Sequence, residues 1–82
     1  MTKAFGSREL IKCVECLGFI FKRQSSSHLI YQPPKGKKSS VINRNILPIQ
    51  TGRKTYDKNA RVRYISQIRS FSFSKKEIEE CL

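Results

Sequence analysis

Eighty-two residues carrying seventeen Lys and Arg against six Asp and Glu give a formal net charge of +11. A chain this short has room for one domain, residues 1–82, with one modest core, and none of its apolar runs approaches the roughly 18 residues of a membrane-spanning helix. The charge excess suits phosphate polyanions, anionic membranes or acidic proteins, with nucleic acid first; the lack of a long apolar run is what weakens the membrane option.

The opening Met1-Thr2-Lys3-Ala4-Phe5 has no apolar stretch of signal-peptide length, so a cytoplasmic protein is expected. Three cysteines, an odd number, make a poor disulfide framework and are expected as free thiols. Residues 7–17 read as an amphipathic helix: Leu10, Val14 and Leu17 recur at spacings of four and three, with Cys13 on the same side. Ser7 is placed to cap its start, and Gly18 to take the left-handed conformation past its end.

The period then changes. Residues 19–24 suit a strand with Phe19 and Phe21 on one face, and Ser25-Ser26-Ser27 a turn. Residues 28–32 are the returning strand, where alternation puts His28 and Ile30 on one face and Leu29 and Tyr31 on the other. Pro33-Pro34-Lys35-Gly36-Lys37-Lys38 is a loop, because proline cannot donate to a ladder, and it concentrates three lysines. Val41-Ile42 and Ile46-Leu47-Pro48-Ile49 are strand pieces separated by Asn43-Arg44-Asn45, and which of them pairs with the second strand stays open.

Residues 51–57 are polar and basic, and Asp57 can cap a helix over 58–71. Ala60, Tyr64, Ile65, Ile68 and Phe71 share one side of it, with Arg63 and Arg69 away from that side and Arg61 inside the apolar arc. Ser74-Lys75-Lys76-Glu77 is a capping box, and Phe73 with Ile78 supplies its hydrophobic staple, so a short helix to Leu82 follows. The order is helix, three-stranded antiparallel meander, helix, short helix. That predicts an α+β fold with helices packed on one face of one sheet.

The chemistry centres on His28, the only histidine, beside a serine-rich turn and flanked by Lys22 and Arg23. Cleaving RNA without a metal requires taking a proton from a ribose 2′-hydroxyl and giving one to the departing 5′-oxygen, and an imidazole can do either near neutral pH. One imidazole cannot do both in one step. The second role falls to Lys22, Tyr31, another base or water, while Lys22, Arg23 or Arg44 can offset charge on the phosphorane-like transition state. The competing reading of a lone histidine is a structural or surface residue.

Lys22, Arg23, Lys35, Lys37, Lys38, Arg44, Arg53 and Lys54 are the candidate RNA contacts, giving affinity and salt dependence without sequence preference. Phe19, Phe21, Tyr31, Tyr64 and Phe71 have the spacing of core residues more than of base-stacking ones. Cys13-x-x-Cys16 has no second pair at zinc spacing and lies late in a helix, and the serines beside His28 have no acidic partner nearby in sequence. Neither cofactor nor metal is called for.

The chain resembles the HicA family of bacterial toxins, small mRNA interferases also called YcfA-like proteins. The likeness runs through Ser7-Arg8-Glu9-Leu10-Ile11-Lys12, Leu17-Gly18-Phe19, Arg23-Gln24, Ser27-His28 with Tyr31, and Phe73-Ser74-Lys75-Lys76-Glu77-Ile78. It departs at Ser26 and Ser72, where the family typically carries glycine, and in a longer, more basic stretch over 33–45. The resemblance implies a fold like the double-stranded-RNA-binding domain, α-β-β-β-α, with a catalytic histidine at His28. It also implies an mRNA substrate, arrest of translation and growth, and a HicB-like antitoxin that blocks activity. The alternatives from other classes are a non-catalytic RNA- or DNA-binding module and a basic assembly protein that meets only an acidic partner.

Overall fold

The computed structural model describes residues 4–37 and 45–82. Helix α1 spans Ser7–Cys16, and its N-cap is Gly6, whose amide donates to the Glu9 carboxylate at 2.7 Å. Ser7, expected as the cap, is the first helical residue and is buried, because tertiary partners compete for its hydroxyl. That oxygen donates to the Gln50 carbonyl at 2.8 Å and accepts from the Arg53 amide at 3.0 Å and the Tyr56 phenol at 3.1 Å. The Ser7 amide donates to the Arg53 carbonyl at 2.8 Å, so the start of α1 is stitched to the segment 50–56. The far end closes at Gly18, whose φ of +98° is open to glycine at little cost and turns the chain into the sheet.

Strands β1 (Ile20–Ser25), β2 (His28–Gln32) and β3 (Leu47–Gln50) form one antiparallel sheet in the order β1-β2-β3. The strand piece that pairs with β2 is therefore the second candidate; Val41 and Ile42, like Lys38 and Arg44, lie outside the described residues. Register places Ser25 opposite His28, Arg23 opposite Ile30 and Phe21 opposite Tyr31, with a bulge at Lys22 between Phe21 and Arg23.

Alternation decides the two faces. Leu29, Tyr31, Leu47 and Ile49 turn to the helices and join Leu10, Cys13 and Val14 of α1 in the core. Phe19, just ahead of β1, packs edge-on against Phe71 at 5.5 Å and lies 5.6 Å from Phe73. Phe21 departs from the expected core role: it leans on Tyr31 at 5.7 Å but stays 49 % exposed, since β1 is an edge strand.

Helix α2 spans Lys58–Ser70 and is capped by Asp57, which accepts from the Ala60 amide at 2.8 Å. Ile65 and Ile68 enter the core, with Phe71 just beyond the helix. Arg61 tolerates its place in the apolar arc because its guanidinium reaches back to the Tyr56 carbonyl at 2.7 Å while its stem stays half-buried. Helix α3 spans Lys75–Cys81 with both bonds of the capping box formed, Glu77 amide to Ser74 hydroxyl at 3.1 Å and Ser74 amide to Glu77 carboxylate at 3.0 Å. Phe73 and Ile78 are buried on either side of that cap. The α+β architecture with helices on one sheet face is thus the one the sequence implied. Among the described residues no helix is long and apolar enough to cross a membrane.

The cysteines differ from expectation. Cys16 and Cys81, 65 positions apart in sequence, are joined by a disulfide with Cα atoms 5.8 Å apart, and only Cys13 is a free thiol, buried. The odd count concealed a pair plus one core residue, because packing of α3 beside the end of α1 brings the partners together.

Ser26 (φ +57°) and Ser72 (φ +73°) are the non-glycine residues with left-handed backbones among the described positions. They are also the two sites where the sequence departs from the glycines of the family it resembles. A left-handed L-residue costs roughly 1–2 kcal/mol, so Ser72→Gly is expected to raise the thermal midpoint by several degrees, about 4–8 °C per kcal/mol recovered in a domain this size. A calorimetric midpoint at or below the parent's would refute that strain.

Candidate nucleic-acid interface

His28 opens β2 and is exposed on the sheet face opposite the helices. In register it lies between Ser25 of β1 and Gln50 of β3. Arg23 is two residues before Ser25 on the same face, a diagonal neighbour of His28 at the ~7–8 Å such positions have. Ile30 is buried on this face without joining the main core, flanked by Arg23 and Pro48.

The turn that presents His28 is held from two sides. The Gln24 side-chain amide donates to the Ser26 carbonyl at 3.2 Å. The Ser27 carbonyl accepts from the Thr51 amide at 2.9 Å and the Thr51 hydroxyl at 3.0 Å, so the exit of β3 is fastened to the hairpin.

That fastening brings Arg53 and Lys54 to the His28 end of the molecule. The Arg53 backbone is fixed on both sides by Ser7, leaving its side chain exposed. It walls a cavity of about 180 Å³ shared with Gln50, Thr55, Tyr56 and Asp57. It also walls a shallower cleft of about 450 Å³ with Arg8, Gly52 and Lys54. Arg23 of β1 therefore shares the face of the imidazole, Arg53 and Lys54 lie in the loop after β3 against the start of α1, and Lys22 is exposed at the bulge.

The remaining candidates divide by position. Lys35 and Lys37 follow the other end of β2, whose five residues separate them from His28 by more than about 13 Å at strand rise. Lys35 is exposed. Lys37 is half-buried, donates to the Ser72 carbonyl at 3.1 Å and sits 4.7 Å over the Phe73 ring, so it holds the entry to α3. Nearby, hydrogen bonds from Ser74 keep the Glu77 carboxyl below its usual range, with Lys37 adding a smaller pull.

Tyr31 does not face His28. It is buried on the helix side, its phenol donates to the Glu15 carboxylate at 3.0 Å, and burial foremost, with Glu15 second, pushes its pKa up to about 12. Tyr31 is thereby removed from the groups considered as a proton-transfer partner for His28, which leaves Lys22, another base or water as the candidates. The sequence placed the serines of the turn beside His28 but not Ser25 as its cross-strand partner, and it missed Gln50 and Thr51 altogether. Ser25 was legible, since a two-residue turn at Ser26-Ser27 makes it the cross-strand partner of His28. Gln50 and Thr51 were not, because β3 had no fixed register.

Residues 7–58 match the family model described as HicA toxin of bacterial toxin–antitoxin, a stretch that runs from the first residue of α1 to the first of α2 and includes the whole His28 surface. Neither a curated protein nor a solved structure matches the chain. With well over half the chain matched, the protein belongs to the HicA family, the toxins of bacterial toxin–antitoxin systems.

Proposed function

We propose that the protein is a metal-independent endoribonuclease that cleaves mRNA with His28 and is held inactive by a cognate HicB-like antitoxin covering the His28 face. The observation that supports this best is the setting of the one histidine. It is exposed on the free face of a sheet, with Arg23 at the diagonal position on that face, and the loop that carries Arg53 and Lys54 is fastened to its hairpin through Thr51.

In that setting the ring exchanges protons with a bound ribose or leaving oxygen. Arg23 is the cation nearest to the developing phosphorane charge, and the exposed guanidinium and ammonium of Arg53 and Lys54 follow the phosphates on the other side. Lys22 and Lys35 extend the same electrostatic track along β1 and beyond β2. Lys38 and Arg44 belong to it by charge alone. Lys37 adds to the local field from its structural position over Phe73. An acidic antitoxin would meet these same cations, so RNA and antitoxin compete for one surface.

The test is a mixed mRNA incubated with purified protein in excess chelator. Cleavage is expected to persist, to leave 2′,3′-cyclic phosphate ends, and to stop where the ribose 2′-hydroxyl is removed. RNA that is bound in a salt-dependent way and stays intact would instead identify a non-catalytic binding module.

A further inference from the structure

Helix α3 has little to hold it. Its seven residues are too few to be helical alone, and Ile78 is its only fully buried side chain, with Cys81 and Leu82 half-buried. Besides Ile78, α3 is tied to the fold by packing on α1 and α2 that includes Cys81 and Leu82, by the weak contact from the Cys13 thiol to the Ile78 carbonyl at 3.6 Å, and covalently by the Cys16–Cys81 bond. Burial of one isoleucine offsets the ordering cost of only a few residues. The covalent link is therefore the strongest single tie on a short helix with one fully buried side chain.

That link is open to attack: Cys16 is exposed at the end of α1 and Cys81 is half-exposed near the chain end. Cys16 lies within the family-matched stretch 7–58 and Cys81 beyond it.

We propose that Cys16–Cys81 is a reversible thiol–disulfide modification site, read by dithiol reductants, and that its reduction undocks α3 while the sheet and α2 stay folded. In the first step a reductant thiolate bonds to the Cys16 sulfur, and the S–S pair departs with Cys81, which takes a proton. The reductant's second thiolate then attacks the mixed disulfide, forms the reductant's own disulfide and releases the Cys16 thiolate, which is protonated in turn. Two electrons pass from the dithiol to the protein, leaving two protein thiols. Cys13, though one helical turn from Cys16, stays out of the exchange because it is buried, and burial raises its pKa to about 11. The site lies at the Gln32 end of the sheet, away from His28, so the inference stands whether or not the protein cuts RNA.

The experiment is amide hydrogen exchange on the intact protein with and without dithiothreitol, together with thiol counting. Before reduction one thiol is expected on unfolding in denaturant, and three afterwards. The amides of Ile78 and Leu82 are expected to exchange at least tenfold faster in the reduced protein and in Cys81→Ser, while those of Ile65 and Ile68 hold their rates. Cys13→Ala should respond to dithiothreitol as the parent does. Three thiols before reduction, unchanged exchange of α3, loss of the response in Cys13→Ala, or equal acceleration of α2 and α3 would each overturn the proposal.

Discussion

Replacing His28 with alanine is expected to slow mRNA cleavage by about 10²–10⁴-fold, the range spanned by loss of a positioned general acid or base. The same change should leave folding intact within about 0.5 kcal/mol, because the ring is exposed and anchors none of the core. On the proposed reading, in which cationic side chains such as Arg23 and not the imidazole hold the phosphates, RNA affinity should also be nearly unchanged. The three readouts separate the competing roles. A structural histidine would lower the melting temperature, a binding histidine would weaken affinity, and a catalytic one lowers the turnover of bound RNA alone. Cleavage by His28→Ala at the parent's rate, in protein shown to be folded, would falsify the nuclease assignment.

A companion variant, Arg23→Gln, probes the second half of the same site. It should reduce turnover less than His28→Ala, because it removes a charge from the diagonal position and leaves the proton-transfer group in place. Tyr31→Phe should leave turnover unaltered, as its phenol is spent on Glu15 behind the sheet.

Local chemistry was legible where it is decided locally. The capping box at Ser74 and Glu77, the Asp57 cap and the alternation through His28-Leu29-Ile30-Tyr31 each depend on neighbours within four residues, and each stands in the fold as the sequence implied. That alternation already placed Tyr31 and His28 on opposite faces, so the phenol could have been excluded as a proton-transfer partner from the sequence alone.

What the sequence hid is tertiary. Ser7 looks like a cap because serine before an apolar periodic run usually is one, yet Gln50, Arg53 and Tyr56 compete for its hydroxyl from more than forty positions away. Cys16 and Cys81 carry no spacing signal for the same reason. The charge count predicted a cationic surface, but not that Arg23 would share the face of His28 while Lys37 is locked over Phe73.

Gly6→Ala should be the most damaging of the alanine substitutions at the chain's glycines. A Cβ there would stand 2.0 Å from the Lys54 carbonyl oxygen and 2.6 Å from that of Arg53, and both atoms are backbone, so no rotamer change relieves the overlap. Clearing it forces α1 and the segment 50–56 apart. That pulls against the Ser7 amide bond to Arg53, the three bonds of the Ser7 hydroxyl and the Tyr56 amide bond to the Phe5 carbonyl. Overpacking alone costs about 1–3 kcal/mol, and buried polar groups left unpaired add roughly 1–3 kcal/mol each. A loss of at least about 4 kcal/mol is expected, or a fall of some 16–32 °C in thermal midpoint at 4–8 °C per kcal/mol.

Gly36→Ala is the matched control. It has no atom within 4 Å of its added Cβ but a φ of +89°, so it should cost only the roughly 1–2 kcal/mol of a left-handed alanine. Denaturant midpoints for the two variants settle the comparison: equal losses would mean that the backbones at Gly6 and Lys54 do not make this close approach. Because Arg53 is held by the same bonds, Gly6→Ala should also loosen the cationic flank beside Thr51 and weaken RNA binding before the protein unfolds, an effect Gly36→Ala does not share.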